Sequence, residues 1–236
     1  MSPALRVAVV GARGRMGRFA CELLGTSAGF ELVAEIDREH ALEPVLRESG
    51  AEVALDVTVA GLGAEHGRRI LAAGARPVIG TSGVTRAEAL ELDSIARARD
   101  LGGIVVPNFS LGIACLNRAA EELARSFPSV SIIERHHERK KDAPSGTSRD
   151  TAERIRARRG GETVPILSVR LPGSYAHQEV IFGAPGETLT LRHDMLGPEA
   201  FGPGLLAALR YAARARGVAF GLEAALDDER GGTIAK

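Results

Sequence analysis

Arg6-Val7-Ala8-Val9-Val10-Gly11-Ala12-Arg13-Gly14-Arg15-Met16-Gly17 is the stretch from which the fold can be read. Its first half is a short, β-branched apolar run, the pattern of a buried strand. Its second half sets Gly11, Gly14 and Gly17 three residues apart and opens a helical pattern over residues 16–24. Glycines allow a tight turn and let the backbone approach a pyrophosphate, while the helix N-terminus adds N–H groups and a positive dipole. The spacing is G-x-x-G-x-x-G rather than G-x-G-x-x-G, so the context has to carry the argument. A second strand, residues 31–36, ends at Asp37, about 20 residues beyond the glycines, where an acidic side chain takes ribose hydroxyls. Arg38 follows at once and suits a 2′-phosphate. Asp37 favours NADH and Arg38 favours NADPH, so use of either cofactor is expected.

Further strands at 53–57, 77–80 and 103–107 alternate with helices at 64–73 and 86–99. Alternation of this kind predicts βαβ units and a parallel sheet. Ligands of open α/β sheets sit beyond the carboxyl ends of the strands. Gly80, Thr81 and Ser82 follow one strand and Val106, Pro107, Asn108 and Phe109 follow another, so both sets are placed to line the nicotinamide end. The pattern changes after Asn108. Helices are expected at 112–127 and 147–159, and strands at 129–135, 167–171, 178–182 and 188–192, the last two joined as a hairpin through Gly183-Ala184-Pro185-Gly186. A helix at 205–216 and a strand at 218–222 close the chain. The fold class is therefore α/β: a Rossmann-type doubly wound parallel sheet plus an α+β substrate and oligomerisation domain with a mixed sheet. The expected division is 1–108 with 216–236 for the dinucleotide, and 109–215 for the substrate.

Composition narrows the field. Net charge is zero, aromatics are 4% with no Trp, and no apolar run reaches the length of a membrane span. Neither nucleic acid nor membrane is an expected partner. No signal-peptide pattern precedes the first strand, which points to the cytoplasm. Cys21 and Cys115 sit in helical patterns and read as buried free thiols. Cys115 lacks the electropositive setting of a nucleophile. Tyr-x-x-x-Lys is absent, since Glu179 follows Tyr175 and Ala215 follows Tyr211.

The chain contains 27 arginines but only three lysines, Lys140, Lys141 and Lys236. Lysine is a compact ammonium that can exchange protons, and arginine is not. Lys140 lies in His136-His137-Glu138-Arg139-Lys140-Lys141-Asp142-Ala143-Pro144-Ser145-Gly146-Thr147. Neighbouring strand residues face opposite ways, so His136 and His137 do not suit one metal, and no metal site is expected. Lys141 reads as a solvated charge. Thr147 and Asp150 match a capping box, which places Gly146 and Thr147 at a helix start able to receive an anion. With Lys140 alongside, the stretch suits a small anionic dicarboxylate.

The run His136-His137-x-x-Lys140-x-Asp142-Ala143-Pro144-Ser145-Gly146-Thr147 resembles the signature of the 4-hydroxy-tetrahydrodipicolinate (dihydrodipicolinate) reductase family of the diaminopimelate route to lysine. So do Gly11-x-x-Gly14-Arg15-Met16-Gly17, Pro107-Asn108-Phe109-Ser110-x-Gly112, Ala176-His177-Gln178-Glu179-Val180-x-Phe182-Gly183 and Leu191-Arg192-His193-Asp194. The resemblance implies His136 as general acid and Lys140 as second proton donor, with His137, Gly146 and Thr147 binding substrate. It implies cofactor contacts from Gly11, Ala12, Arg13, Gly14, Arg15, Met16, Asp37, Arg38, Gly80, Thr81, Ser82, Val106, Pro107, Asn108 and Phe109. A homotetramer built through the substrate-domain sheets is also implied. Val57 replaces a usual Phe, Ser82 a usual Thr and Ser148 a usual Ala, and the chain is shorter than typical members.

Overall fold

A computed structural model describes residues 3–233, so Lys236 and the end of the expected C-terminal return lie outside the described residues. The chain forms two compact units. One is built from residues up to Phe109 and from Phe201 onward, the other from Ser110–Ala200.

The first unit alternates β1 (Leu5–Val10), α1 (Arg15–Thr26), β2 (Phe30–Ile36), α2 (Leu42–Ser49), β3 (Val53–Asp56), α3 (Gly63–Ala72), β4 (Arg76–Ile79), α4 (Arg86–Ala98) and β5 (Gly102–Val105). With β10 (Gly217–Phe220) added from the end of the chain, the sheet order is β10-β5-β4-β3-β1-β2, with every pairing parallel. Val7, Ala8, Val9, Val53, Ala54, Leu55, Val78 and Ile79 are inaccessible to solvent. A parallel sheet is covered on both faces, which is why these strands read as continuous apolar runs and do not alternate. Leu42 and Leu46 of α2 pack with Ile70 of α3 against Ala8, Val10, Ile36 and Ala54. Helix α2 has no counterpart in the sequence reading. Pro44 obscures it, yet a proline in the first helical turn removes only an N–H that has no helical acceptor.

The second unit holds α5 (Leu111–Leu123), β6 (Ser129–His136), α6 (Gly146–Arg158), β7 (Ile166–Arg170), β8 (Ala176–Ala184) and β9 (Glu187–Met195). Its sheet runs β7-β6-β8-β9, with β6 and β7 parallel and the other pairs antiparallel. Leu116 and Ala120 of α5 and Ile155 of α6 pack on Val130, Ile132, Val180 and Phe182. The β8–β9 hairpin turns through Pro185 and Gly186, the latter at φ 87°. On the opposite face of the sheet Ile133 pairs with Leu167 and Glu179, and Leu167 is 60% exposed.

The boundary expected at residue 215 is corrected. Helix α7 (Gly202–Arg214) belongs to the first unit, where it packs on β3, β4 and β5 before β10 (Gly217–Phe220) and α8 (Glu223–Thr233). Leu205, Ala208, Leu209 and Ala212 are fully buried. The helix approaches so closely that a Cβ on Gly102 would meet the Ala215 carbonyl oxygen at 2.3 Å, and one on Gly204 would meet the Phe109 carbonyl oxygen at 2.0 Å. Cys115 is likewise exposed, not buried as expected, because it lies on the outer side of α5.

Candidate active site

In the first unit the glycine turn is set by contact distances. Gly11 has φ 87°, and a Cβ there would lie 2.9 Å from the Val57 carbonyl oxygen. A Cβ on Gly17 would lie 2.1 Å from the Gly11 carbonyl oxygen, so α1 cannot approach the turn with any larger residue. The Gly11 and Ala12 N–H groups donate to the Ile36 carbonyl at 2.7 and 3.3 Å, which ties the turn to the end of β2. Helix α1 begins after Gly14 with no side chain capping it and no acidic residue in its first turn. The N–H groups of a first turn have no acceptor within their own helix.

A cavity of about 990 Å³ opens beside this turn. Gly11, Arg13, Gly14, Arg15, Met16, Asp37 and Arg38 line it; Ala12 is buried behind the turn. The Asp37 carboxylate is held by Arg13 Nε at 2.8 Å and accepts from the Glu39 N–H at 3.3 Å, while His40 Nδ1 accepts from the Asp37 N–H at 3.2 Å. Arg69 also borders the cavity, but its guanidinium makes two 2.7 Å bonds to Glu43, and that partnership pulls the Glu43 carboxyl down to about 2. The cavity's volume, glycine rim, uncapped helix start and acidic residue fit a dinucleotide.

Gly80, Thr81, Ser82 and residues 106–109 follow β4 and β5 and do not border this cavity. Gly80 packs against the Phe109 ring, which a Cβ would meet at 2.5 Å, and the Val106 N–H donates to the Ile79 carbonyl. Thr81 is buried, and its hydroxyl accepts from the Thr58 N–H at 2.8 Å. A polar group beside the cavity has no counterpart among the expected site residues. Asp56, fully buried, accepts from the Thr58 hydroxyl at 2.7 Å and lies 3.2 Å from His66 Nδ1. Thr58 and His66 both face the cavity. The hydrogen bond to Asp56 raises the His66 pKa against the opposing effect of burial. Ten residues of turn and helix separate this pair, and no local spacing marks it.

The second unit gathers charged groups at the end of β6. His136 is the last strand residue and Glu134 lies two before it on the same face. Glu134 is fully buried, and its carboxylate accepts from Arg170 Nη1 and Nη2 at 2.9 and 2.8 Å and from His136 Nδ1. Burial alone would raise the Glu134 carboxyl, but bonds from Arg170, Ser168 and His136 outweigh it and hold the group ionised. His136 is pushed down by burial, against the pull of Glu134 and with the help of Lys140 and Arg170. Lys140 Nζ lies 2.8 Å from Asp142 Oδ1, so the ammonium already faces a carboxylate. Lys141 is exposed. The His137 ring is half-buried, with Nδ1 lacking a hydrogen-bond partner among the described residues.

The cap of α6 differs from the expected Thr147–Asp150 box. Ser145 is the N-cap, its hydroxyl accepting from the Ser148 N–H at 3.1 Å, while Asp150 bonds Arg154 at 2.7 Å. The pattern [ST]-x-x-[DE] falls two residues too late, because a serine with no acid at the third helical position also caps. Gly146 and Thr147 are thereby the first two helical residues. Buried polar contacts anchor this helix start. The Ser148 hydroxyl donates to Gln178 Oε1 at 2.6 Å, Gln178 Nε2 donates to the Thr151 hydroxyl at 2.9 Å, and that hydroxyl bonds Asn117 at 2.7 Å. His193 Nε2 meets the Ser110 hydroxyl at 3.2 Å, and a Cβ on Gly112 would strike the His193 ring at 2.4 Å. These contacts give structural reasons for the Ser110-x-Gly112 and His193 positions.

Two family profiles divide the chain between them: dihydrodipicolinate reductase, N-terminus, matches residues 5–109, and dihydrodipicolinate reductase, C-terminus, matches residues 111–226. The 4-hydroxy-tetrahydrodipicolinate reductase of Moorella thermoacetica is 38% identical, with 96% of this chain and 100% of that protein covered. The same-named protein of Legionella pneumophila strain Paris is 39% identical, covering 92% and 98%. Among solved structures, a dipicolinate-bound dihydrodipicolinate reductase from Paenisporosarcina sp. TG-14 superposes with a TM-score of 0.85 at 32% identity, covering 93% of this chain and 98% of that one. An amine dehydrogenase from Mycobacterium smegmatis, at 14% identity and a TM-score of 0.64, shares the fold. Both halves of the sequence and the architecture they form place this chain in the dihydrodipicolinate reductase family.

Proposed function

We propose that this chain reduces 4-hydroxy-tetrahydrodipicolinate to tetrahydrodipicolinate with loss of water, using NADH or NADPH, in the diaminopimelate route to lysine. The observation that carries the reading is the cluster at the end of β6: a histidine bonded to a buried carboxylate, a lysine facing a carboxylate, and a helix start, all within residues 134–147. The reduced nicotinamide, when bound, supplies the hydride. As the imidazolium, His136 carries its transferable proton on Nε2 and delivers it to the charge that develops on the substrate, a role worth about 10²–10⁴-fold in rate. Lys140 exchanges Asp142 for a substrate carboxylate and is the second proton donor. Gly146 and Thr147 receive a carboxylate at the start of α6, and His137 completes the substrate contacts.

Gly11 to Met16 hold the pyrophosphate, and residues 80–82 and 106–109 bear on the nicotinamide. Both cofactors are accepted because Arg13 offsets the charge of Asp37, leaving Arg38 to pair with a 2′-phosphate. The sheet face carrying Ile133, Leu167 and Ile181 is the proposed contact of a homotetramer, which would remove an exposed apolar surface from water. The enzyme is proposed to work in the cytoplasm.

Freshly generated substrate should drive oxidation of both NADH and NADPH, followed by loss of nicotinamide absorbance, with dipicolinate competing. Failure of the substrate to drive oxidation of either cofactor would overturn the reading. Sedimentation of wild type beside Leu167→Glu tests the tetramer; a persistent monomer in the wild type removes it.

A further inference from the structure

We infer that Glu134 and Arg170 act as positioning residues, setting the tautomer of His136 so that Nε2 is the nitrogen that serves the substrate. The inference rests on the reading of His136 as the acid and goes beyond it.

An ionised carboxylate accepts hydrogen bonds and offers none. Glu134 is held ionised, and His136 Nδ1 meets its Oε2. Nδ1 must therefore carry a hydrogen in both charge states of the ring. The neutral imidazole then has its lone pair on Nε2, and the cationic ring has its transferable proton there. Without Glu134, the tautomer in which Nε2 holds the only hydrogen becomes accessible. The reaction consumes one hydride and one proton and releases water. That proton leaves Nε2 with the N–H electron pair remaining on the ring, and Glu134 gains nothing.

Arg170 fixes the carboxylate and the loop together. Nη1 donates to Glu134 at 2.9 Å and to the Val169 carbonyl at 2.8 Å. Nη2 donates to Glu134 at 2.8 Å and to the Asp142 carbonyl at 2.6 Å, and Nε reaches the Lys140 carbonyl at 3.4 Å. All five N–H groups of the guanidinium are thus committed. Two hold Glu134, and two hold the segment that carries Lys140 and Asp142. One cation therefore sets the position of the histidine's orienting carboxylate and of the lysine's backbone. A buried ion pair is poor evidence for stability, whereas a carboxylate that orients a histidine is a recurrent device of proton-transfer sites.

The charged groups acting on His136 are Glu134, Lys140 and Arg170. Removing Glu134 takes away the one that favours the imidazolium. The test compares wild type, Glu134→Gln and the double variant Glu134→Gln with Arg170→Met, which removes both buried charges in case the single variant folds poorly. Dipicolinate binding, beside NADH binding, serves as the fold control for the second unit. Nitrogen-15 NMR of the ring should show Nδ1 protonated in neutral wild-type His136 and a shift toward the Nε2–H tautomer in both variants. The kcat should fall about 10–100-fold with substrate KM within about 3-fold. The high-pH limb of the kcat profile should move to lower pH. A wild-type ring protonated at Nε2, or a folded variant with unchanged tautomer and kcat, overturns the inference. His136→Gln separates the two claims. If it retains kcat, the acid assignment fails; if it loses kcat while the Glu134 variants do not, the positioning role alone fails.

Discussion

In the first unit the candidate site is made by what side chains leave out. Gly11, Gly14 and Gly17 clear a path for the backbone, and α1 starts without a cap. In the second unit the site is made by what buried side chains carry, with Glu134 fully enclosed and His136 and Arg170 gathered on it. Backbone N–H groups suit a ligand that needs only to be held, because their charge does not change with pH. A site that moves a proton needs groups able to lose one, and each such group has to be stabilised after burial.

The contrast breaks most visibly at His136. His136→Gln should lower kcat by about 10²–10⁴-fold with little change in substrate KM; a steady-state assay that returns wild-type kcat ends the assignment. Lys140→Ala should cost about 10–10²-fold in kcat/KM, divided between both constants, since an ammonium that holds a carboxylate and donates a proton serves both. Wild-type kinetics for that variant would pass the role to Lys141. On the glycine side, Gly17→Ala forces a Cβ to 2.1 Å from the Gly11 carbonyl oxygen. It should weaken NADH binding about 10-fold or more while sparing dipicolinate binding; equal losses of both ligands would mean that the units are not separable in function. Arg38→Ala should weaken NADPH about 5–10-fold relative to NADH, measured by titration. The smallest effect concerns His66. Its pKa is raised in the folded state by Asp56, so the pair's stabilisation is full below the unfolded value and is lost as pH rises through the folded one. Between about pH 6 and pH 8, wild type should lose ~1–2 °C more in Tm than His66→Gln. A parallel decline of the two would assign no such stabilisation to the pair.

The parallel sheet was legible because strands buried on both faces announce themselves as unbroken apolar runs, and because glycines and Asp37 fall at fixed offsets from them. That His136 and Lys140 share one short stretch is legible because they are neighbours in sequence; the roles proposed for them are not. What could not be read depends on returns of the chain. Glu134 looks like one charge in a strand until Arg170, on the neighbouring strand, makes it a buried pair. Asp56 and His66 meet only once β3 and α3 are in place. The capping box shows the limit of a motif: Thr85 with Glu88 forms one in full, whereas Thr147 with Asp150, which matches equally well, does not. The unit to which helix α7 belongs is not legible in the sequence, because its apolar face is the same whichever sheet it covers; the glycines at 102 and 204 that admit it are informative only once the contact is seen.

The return of the chain has a consequence for how the molecule is made. Strand β10 lies beside β5, and α7 covers β3 to β5, yet both are translated after residues 110–200. A nascent chain ending at Phe109 has β5 as an open border, with amides and carbonyls seeking a partner and Ile104 deprived of its cover. The first unit must therefore wait on the ribosome while residues 110–200 are spelled out, and that interval is when the chain is most exposed to pairing with a neighbour.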